Sequence, residues 1–230
     1  TAVYKNAQQL AGDGASYDFK PMYENVRHII EGADVSIINQ ETLICNGEYE
    51  VSGSNFNFNS PVELGQDMID LGFDVFTIAN NHVLDKGVGG LSATLDYWDE
   101  KSQLNDIVVC GAYRNEADAN NIRTMEVDGV TIAFLAYTEH MNGYKMPSDS
   151  EMRVILTDEE EIMEAQIREA SEIADVVITA MHWGVEYTHN PTPYEKDMAE
   201  YLASLGVDII IGTHPHVIQP ITWIDDTLVI

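Results

Sequence analysis

The sequence predicts an α/β protein in which a largely parallel sheet is covered by helices. Two observations carry this: short apolar, β-branched runs alternate with amphipathic stretches along most of the chain, and three of those stretches open on helix-capping signatures. A third observation, the polar character of four strand ends, bears on what the fold is for.

Taken in order, residues 33–39 (ADVSIIN), 73–79 (FDVFTIA), 106–110, 130–137, 175–181 (DVVITAM) and 207–211 read as short buried strands. The first helix is expected over about residues 21–31. Ser60-Pro61-Val62-Glu63 offers an N-cap serine, proline at the first helical position and glutamate at N3, the reciprocal capping box. Thr192-Pro193-Tyr194-Glu195 repeats it, and Thr157 with Glu160 does so ahead of a helix whose Ile162, Met163, Ile167, Ala170 and Ala174 recur at helical spacing. Residues 217–221 and 227–230 read as consecutive strands around an Asp225-Asp226 turn, which predicts a mixed second sheet. No linker or repeat divides the chain, so residues 1–230 read as one domain. Both ends read as cut: no strand precedes Thr1, and the last residues stop in mid-strand.

Composition bounds the partners. An apolar share of 45% over 230 residues supports a full core. A net charge of −28, from 11 Lys+Arg against 39 Asp+Glu, repels nucleic acid and anionic headgroups and attracts cations. Cys45 and Cys110 form no C-x-x-C pair, which excludes a disulfide framework and leaves a single bridge between them open, with two thiols in or near the core the expected state. No apolar run reaches the roughly 18 residues of a membrane span.

The four polar strand ends are Asn39-Gln40-Glu41, Asn80-Asn81-His82 with Asp85 close by, His182-Trp183-Gly184 with Glu186, and Gly212-Thr213-His214-Pro215-His216. Each has an ordinary alternative. Asn-Asn is commonly a turn, a lone histidine beside tryptophan is commonly a hydrogen-bonded core residue, and Asp85 alone reads as a helix cap. His-x-His is stronger, since alternate residues of an extended segment face the same side. Together with His189, these ends hold five of the seven histidines, and a parallel sheet brings such ends together. Imidazole with carboxylate and amide oxygen suits zinc, manganese or iron, and two such ions can hold a hydroxide and polarise a phosphoryl oxygen.

In this order, Asn-x-Glu, Asn-Asn-His, His-Trp-Gly and Gly-Thr-His-Pro-His resemble the CapA family of bacterial capsule and poly-γ-glutamate synthesis proteins, within the calcineurin-like metallophosphatase superfamily. The resemblance extends through Tyr17-Asp18-Phe19, Phe58-Asn59-Ser60-Pro61, Asp85-Lys86-Gly87, residues 111–115 and 182–187, and His214-Pro215-His216-Val217 followed by Gln219-Pro220. It implies a four-layer α/β/β/α sandwich with two divalent metal ions (Mn, Fe or Zn). It also implies that Asn81, His182, His214 and His216 are metal ligands, that Glu41 stands at the second acidic metal motif, and that His82 is the general acid. Asn39, Asn80, Asp85, Glu186 and Tyr187 then fall at the site rim or behind the ligands.

The function implied is metal-dependent hydrolysis of a phosphoester-type bond in cell-envelope polymer metabolism, on the outer face, secreted or membrane-anchored. The alternative is a non-catalytic accessory for capsule polymer assembly or export, alongside other capsule-synthesis proteins. The superfamily's first strand, with its acidic metal motif, is expected before Thr1, and a further strand after Ile230.

Overall fold

The computed structural model describes residues 2–54 and 57–230. Thr1, Asn55 and Phe56 lie outside the described residues. The chain divides into two compact units, residues 1–76 with 82–109, and residues 77–81 with 110–230.

The first unit opens with α1 (Ala2–Ala11), followed by the short helical turns α2 (Lys20–Tyr23) and α3 (Arg27–Ile30). The single helix expected over 21–31 is thus two separate turns. Asp67 ties this segment inward, its carboxylate accepting from the Phe19 N–H at 2.7 Å and from Lys20 Nζ at 2.6 Å. Next come β1 (Ile37–Asn39), the hairpin β2 (Ser52–Ser54) and β3 (Asn57–Asn59), α4 (Val62–Asp70), β4 (Val75–Thr77), α5 (Gly87–Leu104) and β5 (Val108–Cys110). The strands order as β1-β4-β5. Phe76 and Trp98 pack with ring centroids 4.6 Å apart, and Met68, Leu71 and Leu91 are buried.

The second unit comprises α6 (Glu116–Ala119), β6 (Arg123–Val127), β7 (Val130–Thr138), α7 (Glu160–Ile173), β8 (Val176–His182), α8 (Pro193–Ser204), β9 (Ile209–Thr213), β10 (Thr222–Ile224) and β11 (Thr227–Val229). Its six-stranded mixed sheet runs β10-β11-β9-β8-β7-β6, with β7, β8, β9 and β11 parallel neighbours and an antiparallel hairpin at each edge. Met163, Ile167 and Ala170 of α7, Leu202 of α8 and Leu135, Tyr137, Met181 and Ile210 of the sheet form one buried cluster. Buried Gln166 is satisfied inside it, accepting from the Tyr137 hydroxyl at 3.0 Å and donating to the Ala119 carbonyl at 2.6 Å.

Three capping boxes are expected and one forms. At Thr192 the hydroxyl accepts from the Glu195 N–H at 3.2 Å, and the Glu195 carboxylate accepts from the Thr192 N–H at 2.7 Å. Ser60 does not cap α4: its hydroxyl bonds Tyr4 and Thr42, while Glu63 turns to the Tyr17 N–H. Thr157 does not cap α7: its hydroxyl accepts from Tyr194, and α7 starts after Glu159. In both cases a tertiary partner takes the hydroxyl that a cap would need. Residues 217–221 form no strand; the final hairpin is β10 and β11, around Asp225, whose φ is +49°. Both cysteines are buried, free thiols.

Removal of the one formed box by Thr192→Ala is expected to lower unfolding stability by about 1 kcal/mol in urea titration. Thr157→Ala removes the hydrogen bond from Tyr194 instead of a cap. Burial pushes the Cys110 thiol up to about 12, with Arg123 opposing weakly. The stability this gives is therefore complete below the ordinary thiol value and lost as pH rises through about 12. Both thiols are expected to resist a disulfide reagent at mildly alkaline pH in the native chain, and to react in guanidinium chloride.

Candidate metal centre

The register of the second unit's sheet sets the geometry. Thr138 pairs with His182, and His182 pairs with Thr213, so β7, β8 and β9 end at one level. The ladder continues one step, with the Glu139 N–H donating to the His182 carbonyl at 2.9 Å and the Trp183 N–H to the Thr213 carbonyl at 3.2 Å. Three loops therefore leave the sheet side by side, carrying Glu139 and His140, then Glu186 and Tyr187, then His214 and His216.

Asn81 joins them within the same unit. Gly111, with φ +113°, lets the chain pass close to the preceding segment, because a Cβ there would stand 2.5 Å from the Ala79 nitrogen. Asn80 donates to the Ile78 carbonyl at 3.3 Å, and buried Asn81 reaches His182, with Oδ1 3.0 Å from Nε2. That separation suits a hydrogen bond, and it equally suits two donors to one ion held at roughly 2.0–2.2 Å. His182 Nδ1 lies 3.0 Å from the Thr213 hydroxyl, and the His182 ring is 4.9 Å from that of His214.

The carboxylate of Glu186 and the imidazoles of His214 and His216 each offer a ligand atom within 4.8 Å of one another. His214 is buried, Glu186 half-buried and His216 exposed, so the group faces outward on one side. Nδ1 of His214 is buried without a hydrogen-bond partner, a state that costs on the order of 1–3 kcal/mol and that a bound ligand relieves. Burial pushes the His214 imidazole below its ordinary value; neighbouring His140 and His216 add to this, while Glu186 and Glu139 oppose it. A neutral imidazole is the form that binds a metal. One carboxylate and two imidazoles are thus a donor set that fits a divalent transition ion.

The two histidines do not meet through an extended segment, as the His-x-His spacing predicts. β9 stops at Thr213, and His214 and His216 have φ of +95° and +56°. Their rings nevertheless stand 6.1 Å apart, so the convergence is made by left-handed backbone turns rather than by strand alternation. Tyr187, at φ +60°, is exposed with its ring 6.0 Å from His216. His189 lies outside the group and holds the Ile218 carbonyl at 3.0 Å from Nδ1.

The first unit gathers the remaining residues. Half-buried Glu41 follows β1, and its Oε1 is 3.9 Å from Nε2 of His82. The chain passes from one unit to the other between Asn81 and His82. Asp85 is no helix cap: α5 starts after Lys86, and the buried Asp85 carboxylate accepts from His82 Nδ1 at 2.8 Å and from the Phe58 N–H at 2.7 Å. This fixes the ring, with Phe58 edge-on at 4.6 Å. Asn39 ends β1 with its Oδ1 buried and without a hydrogen-bond partner.

Two residues at the centre carry no motif. Glu139 accepts from the Gly184 N–H at 2.8 Å, and the His140 ring is 5.3 Å from that of His214. Their one signal is position, since Thr138-Glu139-His140 is a polar strand end like the four others. A cavity of about 600 Å³ in this unit is lined by Glu139, His140, Met141, Lys145 and Arg153, among others.

The fold has solved counterparts. A putative 5'-nucleotidase from Staphylococcus aureus superposes with a TM-score of 0.51 at 22% identity, over 74% of this chain and 33% of that one. A hypothetical protein from Thermus thermophilus does so with a TM-score of 0.54 at 16% identity, over 91% and 68%. With the mixed sheets described above, they show a metallophosphatase-like α/β fold.

The sequence comparisons go further. The family model of the bacterial capsule synthesis protein PGA_cap matches residues 1–230, and the chain belongs to that family. It is 30% identical to the PGA biosynthesis protein CapA of Bacillus subtilis over 209 residues, 90% of this chain and 54% of that protein. It is 31% identical to the capsule biosynthesis protein CapA of Bacillus anthracis over 175 residues, 74% and 41%. The chain spans about half the length of these relatives or less.

Asp85→Ala is expected to lower unfolding stability by about 1.5–3 kcal/mol, the range for hydrogen bonds to a charged group. Chemical denaturation of the purified chain checks it, with Asp149→Ala, an exposed loop carboxylate, as the neutral comparison.

Proposed function

We propose that this chain is the metal-binding part of a metal-dependent hydrolase of capsule polymer metabolism, acting on a phosphoester-type bond at the outer face of the cell envelope. The observation that carries the reading is the convergence of Glu186, His214 and His216 beyond the level ends of two neighbouring parallel strands, with a buried, unpartnered imidazole nitrogen among them. Family membership supplies the capsule context.

His214 and His216 would hold a divalent ion, with His182 and Asn81 beside them as further donors. When bound, the ion lowers the pKa of its water and polarises a phosphoryl oxygen. The chain's own residues do the rest. Ionised Asp85 can only accept, so it keeps the proton of His82 on Nδ1 and turns Nε2 outward from that bond. In its protonated form His82 then donates from Nε2 to the leaving oxygen. Lys145, exposed at the rim of the cavity beside His140, supports binding of an anionic substrate by an otherwise acidic protein.

Purified protein is expected to carry a stoichiometric divalent metal and to hydrolyse aryl phosphates or phosphodiesters, with loss of activity in chelator. His82→Ala is expected to reduce turnover by about 10²–10⁴-fold while leaving metal content unchanged. Metal-free protein, or turnover indifferent to that change, rules the reading out. Calorimetric binding of poly-γ-glutamate without any turnover would assign an accessory role instead.

A further inference from the structure

We infer that Glu186 is itself a metal ligand, so that Glu186, His214 and His216 form a one-ion, two-histidine-one-carboxylate site wholly within the second unit. This rests on the metal-centre reading above and deepens it, for the family pattern puts Glu186 only at the rim.

The way the Glu186 loop is held argues for a built site. On its N-terminal side, Gly184 has φ +89°, and its N–H is tied to the Glu139 carboxylate at 2.8 Å. A side chain at this position would overlap the Glu195 carboxylate, so only glycine lets the loop take this path. On its C-terminal side, the Tyr187 N–H donates at 2.7 Å to the carbonyl of Pro215, the residue between the two histidines. Glu186 is therefore stapled to the very loop whose histidines it faces.

The backbone on both loops is strained at the same place. Tyr187, His214 and His216 all occupy the left-handed region at φ of +60°, +95° and +56°. Non-glycine residues there cost of order 1–3 kcal/mol each and persist where the surroundings over-determine them. Three such residues, all at or next to the proposed ligands, mark a cluster held in place for a purpose other than packing.

The donor chemistry selects the ligand. One carboxylate and two imidazoles suit Mn²⁺, Fe²⁺ or Zn²⁺ better than Mg²⁺ or Ca²⁺, which prefer all-oxygen sets. With His214 buried, Glu186 half-buried and His216 exposed, the donor group reaches from the interior to the surface, where an ion held by it would be open to solvent.

The test uses the full chain, stripped with chelator, titrated with Zn²⁺ by calorimetry and with Co²⁺ by visible absorption. Glu186→Gln keeps the side chain's shape, and its metal-free melting temperature is compared with wild type to establish folding. One ion is expected to bind about 100-fold or more weakly in Glu186→Gln, since a lost ligand exceeds the 10–100-fold effect of a residue behind a ligand. Glu186→Asp is expected to recover part of the affinity. Glu172→Gln, which removes one exposed helix charge, is expected to change nothing. Unchanged Zn²⁺ affinity and Co²⁺ spectrum in Glu186→Gln overturn the assignment, whether or not the protein hydrolyses anything. Loss of binding in that variant, with no hydrolysis by wild type, sustains the ligand and removes the hydrolase reading alone.

Discussion

The centre in the second unit depends on strand register. Thr138, His182 and Thr213 lie across from one another on adjacent parallel strands, so three loops start from one line. A parallel ladder allows no two-residue hairpin, and each strand must be reached by a crossover. The helices α7 and α8 therefore serve a positional end as well as filling the core. A slip of one residue along β8 would turn His182 to the other face of the sheet and reverse the side chains beside it.

Buried apolar side chains hold that register. Leu135 and Tyr137 on β7, Met181 on β8 and Ile210 on β9 are closed over by Met163, Ile167 and Leu202. The candidate ligand side chains lie where the strands finish or beyond. That division lets the carboxylates and imidazoles sit close together without being sealed away from a ligand, and it concentrates backbone strain in the loops, where the sheet does not have to absorb it.

The parts of this arrangement legible in the sequence are those set by local periodicity. All six strands read from apolar runs are present, although 33–39 shortens to Ile37–Asn39 and 73–79 to Val75–Thr77, because a strand begins only where a neighbour supplies the hydrogen-bonded ladder. The spacing of α7 is recovered at Met163, Ile167 and Ala170. Failures come from tertiary competition. Ser60 and Thr157 carry the same capping letters as Thr192, yet their hydroxyls are claimed by residues more than fifteen positions away, which no window along the chain can reveal. Helix α1, the hairpin β2–β3 and strand β6 are not among the elements expected from the sequence, although α1 is amphipathic and β6 alternates in burial along RTMEV. At the site, His214 and His216 are legible as a pair but for the wrong geometric reason, and Glu139 and His140 only as another polar strand end.

Gly184 links two features that lie far apart in the description of the fold. The carboxylate that closes the start of α8 is the same one that fills the space where a side chain at 184 would go. Helix start and ligand loop are in consequence not independent parts: a change at Glu195 alters the room available to the backbone next to Glu186. Substitutions at 184 and 195 should behave as a coupled pair, non-additive in a double-mutant cycle, so drift at either position is constrained by the other.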